Sequence, residues 1–254
     1  MAGETSKSLQ DLCAQVKALL PEQFRQDAWY LIVASVLVAS GKPLELGPLY
    51  TYLVESAGAD DAEEKSLKTR LSDALMKEWT LVGIPLVITA VAALGKAEKE
   101  RNEKRGVKVE PLTTDERGLL AFPEKRQNLD INTAIPDRGT KFLQQLYREN
   151  LEPIFSTWGS YGPDFMWMER AVIYGLFLSD HEVLSAVEAE LVILASIMSQ
   201  GLSGPTIWHL RGLRRLGVSE DDVESVQKAI EAVATWAGKS VEGWPRVTDV
   251  PDVI

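Results

Sequence analysis

The stretch from Ala28 to Ser40, AWYLIVASVLVAS, is apolar nearly all round a helix, and it constrains the fold more than any other part of the chain. A helix without a polar face has to be covered on every side, by protein or by lipid. Crossing a bilayer takes about 18 or more consecutive apolar residues, and no span of this chain reaches that length. The segment is therefore expected to run through a protein core with the rest of the chain packed round it. With 254 residues, 45% of them hydrophobic, there is enough material for such a core.

The surrounding sequence reads as helices separated by Gly/Pro breaks. Leu9, Leu12, Val16, Leu19 and Leu20 recur at helical spacing and stop at Pro21. Gly41-Lys42-Pro43 closes the apolar segment, and Leu46 to Glu55 forms a further helix. Asp60, Asp61, Glu63 and Glu64 mark the acidic first turn of a long helix running to Trp79, since negative charge suits a helix N-terminus. Gly83-Ile84-Pro85 is a junction, after which a helix ends at Gly95. The mixed-sign run Lys96 to Lys108 reads as a solvated helix end or linker. This divides the chain into an N-terminal unit, 1–106, a connecting segment, 107–136, and a C-terminal unit, 137–254.

In the second half, Asp137 to Phe155 and Met168 to Leu178 read as helices, and Trp158 to Trp167 as a structured loop rich in aromatic residues. Ser185 to Ser199 is the clearest amphipathic pattern. Gly83 to Gly95 can be laid against Gly204 to Gly217 with one gap, a sign of internal repetition. No alternating pattern extends beyond a few residues, so an all-α fold is expected.

Charge and composition exclude several functions. A net charge of -10 opposes binding to phosphate backbones or anionic membranes, so neither nucleic acid nor membrane is expected as a partner. The single cysteine, Cys13, closes no internal disulfide, which fits a reducing, cytoplasmic setting. Met1 to Gln10 lacks the apolar core of a secretory signal. The two histidines, His181 and His209, form no metal-ligand motif, and there is no phosphate loop or Gly-x-Ser-x-Gly sequence.

Val187, Glu190, Leu191, Leu194 and Met198 share one helix face, which points Glu190 with the core stripe and Glu188 towards solvent. A buried carboxylate has a raised pKa unless it is paired, and a general acid or base near neutrality needs that shift. His209 lies beside the apolar positions Leu213 and Leu216 on the next helix, so an antiparallel pair could join it to Glu190. Satisfied core residues are the alternative reading of both. Arg211 is the nearest cation for an anionic substrate, although it lies about 200° round the helix from His209. Trp208, Trp167, Tyr161 and Tyr174 could wall an apolar cavity, and core packing explains them equally well.

The block ELVILASIMSQGLSGPTIWHLRGLRRLGVSEDDV, Glu190 to Val223, resembles the carboxymuconolactone decarboxylase and alkyl hydroperoxidase D-like superfamily. Leu75 to Gly95 resembles the degenerate first copy of its two-repeat members. The resemblance implies two tandem helical repeats packed as one globular unit, and a homo-oligomer. In the peroxidase branch a Cys-x-x-Cys pair lies between the glutamate and the histidine. Here Leu202 and Pro205 stand at those positions, which excludes thiol chemistry by that route. The decarboxylase branch implies acid–base catalysis without a cofactor on a small organic acid, lactone or polyketide-like ring, by a lyase or isomerase. The expected site is Glu190 and His209 as the proton-transfer pair, with Arg211, Trp208, Tyr161 and Trp167 binding the substrate. A non-catalytic oligomeric binding or assembly protein on the same scaffold is the competing expectation.

Overall fold

The computed structural model describes residues 8–56, 60–108 and 130–250. Readings made for the first residues of the chain and for most of the segment 107–136 fall on 1–7 and 109–129, outside the described residues. Among the described residues the chain is all-α and contains no strand. Helix α1 spans Leu9–Leu19, α2 Trp29–Ala39, α3 Leu46–Ser56, α4 Asp61–Glu78 and α5 Ile84–Arg105. Helices α6 (Ala134–Tyr147), α7 (Leu151–Ser156) and α8 (Gly162–Trp167) lead into a π-helix at Met168–Leu178. Helices α9 (Ala186–Ser199), α10 (Ser203–Arg215) and α11 (Glu220–Trp236) complete the bundle.

The ends of the helices follow from their sequences. The Ser8, Asp60, Ser185 and Ser219 side chains each accept a hydrogen bond from a first-turn N–H, and Asp60 and Ser185 do so within reciprocal capping boxes with Glu63 and Glu188. Helix α5 continues past Gly95 through the charged run and ends only at Gly106, which sits in the left-handed region at φ 68°. The alternating charges pair along the helix as Lys96–Glu100 and Lys99–Glu103 instead of forming a linker. The aromatic segment Trp158–Trp167 is likewise not a plain loop, since it forms a short 3-10 turn and α8.

Helix α2 is buried along its whole length and packs against α9, which is buried at every position from Ala189 to Ser199. Helix α9 thus lacks the solvent face that its pattern suggested. Helices α4 and α11 each contact both central helices, so α2 and α9 are enclosed. Glu188 is accordingly not free in solvent; it is half-buried and ion-paired with Arg70. One apolar cluster runs from Leu12 to Val247 and takes in helices from both sides of Gly106, so the two halves share a core. Fully burying an aliphatic side chain is worth about 1.5–3 kcal/mol, and this shared cluster holds the bundle together.

The order of elements in α2–α4 parallels that in α9–α11. In each, a buried helix is followed by a glycine in the left-handed region (Gly41, φ 77°; Gly201, φ 73°), then a helix near whose start lies a Gly-Pro pair (Gly47-Pro48; Gly204-Pro205). An acidic-start helix with a side-chain cap comes third. This parallel is longer than the pairing of Gly83–Gly95 with Gly204–Gly217, because α5 runs ten residues beyond Gly95 whereas α10 stops at Arg215.

The core also encloses charged groups. Lys77 Nζ donates to Asp73 Oδ2 at 2.7 Å and to the Asp180 carbonyl at 2.9 Å, which compensates its burial. Glu78 has no such cation: it accepts from Ser196 Oγ at 3.2 Å, and its Oε2 has no partner among the described residues. Burial pushes its carboxyl well above the ordinary 4.5, despite the hydroxyls beside it. The folded protein therefore holds this proton at pH values where the unfolded chain has released it. The associated stability is complete below pH 4.5 and is lost as pH rises through the higher folded value. Glu78→Gln should remove that dependence, so a plot of the variant's unfolding free energy minus the wild type's should climb as pH rises above 4.5. Parallel denaturation curves for the two proteins would contradict a neutral Glu78.

Candidate active site

Helix α9 places Glu190 in its second turn, inside the bundle, and Gly201 then reverses the chain. Pro205, in the first turn of α10, lacks the N–H that would be unpaired there. Returning beside α9, α10 brings His209 against the carboxylate, with His209 Nδ1 2.7 Å from Glu190 Oε1. Glu190 is fully buried and His209 is 3% exposed. Gly212, one turn beyond His209, is required by this pairing: a Cβ there would lie 2.5 Å from Glu190 Oε1.

The other side of the imidazole is met by α6 and the π-helix. His209 Nε2 is 3.0 Å from the Tyr147 hydroxyl, which is 3.1 Å from that of Tyr174. These two elements approach at backbone contact because both lack a side chain where they meet. A Cβ on Gly139 would lie 2.2 Å from the Arg170 carbonyl of the π-helix, and one on Gly175 would lie 3.0 Å from the Ile135 carbonyl of α6. Arg138 reinforces the contact by donating to the Gly175 carbonyl at 2.6 Å and 3.1 Å. The result is a continuous chain of four polar side chains, Glu190, His209, Tyr147 and Tyr174, drawn from four separate elements.

This chain opens on a cleft of about 250 Å³, lined by Tyr147, Tyr174 and His209 together with apolar side chains that include Leu81, Phe155 and Trp158. Glu169, from the π-helix, also lines it and has no hydrogen-bond partner among the described residues. Burial raises the Glu190 carboxyl above its ordinary value, opposed by the imidazole. Burial likewise raises Glu169 and the hydroxyls of Tyr147 and Tyr174. With Glu190 ionised, the neutral imidazole donates from Nδ1 and accepts the Tyr147 proton at Nε2. One further proton on the Glu190–His209 couple turns Nε2 into a donor towards Tyr147. The arrangement can therefore pass a proton in either direction between the interior and the cleft.

Of the residues singled out in the sequence, Glu190 and His209 are joined, and Trp208 and Tyr174 line the cleft. Pro205 lines it as well, whereas Leu202 is 45% exposed. Tyr161 and Trp167 are not cleft residues: they are 73% and 58% exposed, Tyr161 at the end of the 3-10 turn that precedes α8 and Trp167 at the last position of α8. Arg211 is half-buried and does not line the cleft, as its position round α10 from His209 requires. Tyr147, Glu169 and Trp158 were missed. The stripe Phe142, Leu143, Leu146 and Tyr147 was the available signal for the first of them, but its contact with His209 spans 62 residues.

A larger groove of about 830 Å³ lies between α1, α3 and α5, rimmed by Gln10, Glu55, Lys96 and Glu100. It holds no buried acid–base pair among its lining residues. No group of three or more His, Cys, Asp or Glu residues is placed to hold a metal ion among the described residues. Among them, too, no helix is long and apolar enough to cross a membrane.

No family model and no solved structure matches the chain. Two curated relatives span nearly all of it. Peroxisomal protein 2 of Saccharomyces cerevisiae is 20% identical over 256 aligned positions, covering 85% of this chain and 90% of the relative. Peroxisomal protein 2 of Schizosaccharomyces pombe is 22% identical over 214, covering 84% and 89%. Their shared name gives a compartment and no chemistry.

A Cβ on Gly212 would fall within 2.5 Å of Glu190 Oε1, so Gly212→Ala should displace the carboxylate. It is expected to destabilise the protein by about 1–3 kcal/mol, measured by denaturant unfolding. A variant as stable as the wild type would show that the carboxylate has room to move.

Proposed function

We propose that the chain is a cofactor-independent acid–base catalyst, a lyase or isomerase that moves a proton on a small molecule held in the Leu81–Trp158–Trp208 cleft. The observation that carries this reading is the hydrogen-bonded chain from buried Glu190 through His209 to Tyr147 and Tyr174, which ends at a cleft large enough for a ligand. Tyr147 is the group that meets the substrate. As it takes a proton from substrate carbon or oxygen, its own proton passes to His209 Nε2, and Glu190 stabilises the imidazolium that forms. The Tyr174 hydroxyl donates to the tyrosinate in the meantime. Returning the proton at a neighbouring atom completes an isomerisation; passing it to a leaving group that departs from the β-carbon with its bonding pair, as the α-carbanion's pair forms the double bond, completes an elimination.

The resemblance of Glu190 to Val223 to the carboxymuconolactone decarboxylase and alkyl hydroperoxidase D-like superfamily supports the same reading. So does the parallel order of α2–α4 and α9–α11, which fits an ancestral two-copy chain. In the first copy, Tyr30 and Tyr52 stand where the second has Glu190 and His209, so only one copy carries the proton pair. For location, the relatives' name favours a peroxisomal setting over the cytoplasmic one that composition suggested. Imaging the tagged full chain in its own cells distinguishes the two.

A second reading, an assembly protein, is favoured by one observation. Ile84, Ile88 and Val91 form an apolar stripe along α5, each about half exposed. Covering that stripe in a homo-oligomer is compatible with either function.

The catalytic reading is tested by deuterium exchange at the α-carbon of an enolisable cyclic lactone or ketone in D₂O, followed by NMR. The wild type should accelerate exchange, and Tyr147→Phe, Glu190→Gln and His209→Ala should each slow it by about 10²–10⁴-fold while remaining folded. Equal rates in the wild type and all three variants would remove the proposal.

A further inference from the structure

We infer that the cleft selects an uncharged, ring-sized molecule bearing a hydrogen-bond acceptor and rejects carboxylates, with Glu169 as the residue that sets this preference. The inference rests on the reading of this cleft as the substrate site and names the class of substrate it takes. Of the small organic acid, lactone or polyketide-like ring expected from the sequence, it keeps the uncharged rings and drops the acid.

Among the described residues, no lysine or arginine lines the cleft, and the only carboxylate that does is Glu169. Arg211, proposed from the sequence as the anion-binding residue, lies elsewhere on α10. Arg170 follows Glu169 in the chain but stacks on Phe155 at 5.2 Å and pairs with Glu152 at 3.6 Å, and it is not a lining residue. The start of α10 reaches the cleft through Pro205, which has no N–H to offer an anion. An anionic ligand would therefore give up its hydration for apolar walls with no cation to compensate it. It would also face Glu169, with Glu190 buried behind His209.

A cation fares only partly better. Its single counter-charge is Glu169, and burial pushes that carboxyl towards its neutral form. A neutral molecule carries no such desolvation cost, and its carbonyl can accept from the Tyr147 hydroxyl when His209 Nε2 is itself the donor to Tyr147. The volume sets the scale: at roughly 30 Å³ per water in the liquid, the cleft displaces about eight waters, the space of one substituted ring. Trp158 and Trp208 supply flat apolar surface for it.

Three compounds of one shape and different charge test this directly: acetophenone, benzoate and benzamidinium. Binding to the full chain is read at neutral pH by quenching of tryptophan fluorescence and checked by calorimetry, without any need for turnover. Acetophenone is expected to bind at least tenfold more tightly than benzoate and more tightly than benzamidinium. Glu169→Gln, nearly isosteric, should narrow the acetophenone-to-benzoate ratio at least threefold. Benzoate binding as tightly as acetophenone would overturn the inference, as would a preference for benzamidinium or a failure of all three to bind. An unchanged ratio in Glu169→Gln would remove Glu169 from the selection. Because these are binding measurements, selective binding without deuterium exchange would sink the catalytic reading and leave this one standing, and exchange of a substrate with no preference for neutral compounds would do the reverse.

Discussion

The packing of α2 against α9 is the contact on which the rest of the structure depends. Neither helix has a polar face to offer water, so each is stable only when surrounded, and α4 and α11 supply the cover by touching both. This enclosure also creates the site. A carboxylate on the second turn of α9 has nowhere to reach solvent, and a buried ion of that kind carries a penalty of several kcal/mol unless it is matched. His209 supplies the match, and Tyr147 extends it towards the cleft.

Glycine and the π-helix determine how closely these groups meet. Gly212 leaves the volume that the Glu190 carboxylate fills, and Gly139 and Gly175 let α6 and the π-helix touch through their backbones. The π-helix presents Glu169, Ile173 and Tyr174 to the cleft from neighbouring turns. Such wide turns are uncommon and concentrate at functional sites. Here the carbonyl of Gly175 is met by Arg138 and that of Tyr174 by the Ser179 hydroxyl, so the irregular turn stays hydrogen-bonded.

Much of the helical framework was legible because Gly and Pro punctuate it: Pro21 follows α1, Gly41-Lys42-Pro43 follows α2 and Gly83 precedes α5, as their positions suggest. The charged run after Gly95 is the solvated helix end of its two readings and not the linker, since both share that composition and only the i, i+4 pairing separates them. Glu190 and His209 were legible because each sits at helical spacing among apolar residues, which fixes its direction once the helix is assumed. Tyr161 and Trp167 were misplaced by the same logic carried too far. Being aromatic gives a side chain reason to be buried, but the three-residue 3-10 turn that ends at Tyr161 and the six-residue α8 that ends at Trp167 are too short to bury them.

The sequence by itself determined that this chain is helical, that its second helix lies inside, and that thiol chemistry between Leu202 and Pro205 is impossible. These are local matters, settled by side-chain type and by spacing along a single helix. Only the tertiary structure decided that His209 has Tyr147 as its second partner, that Glu169 faces the cleft and that Arg211 does not. Each of those depends on how separate helices are rotated and how closely they approach. Spacing along one helix gives the direction of a side chain relative to its own axis; what stands opposite is set by packing of elements far apart in the chain.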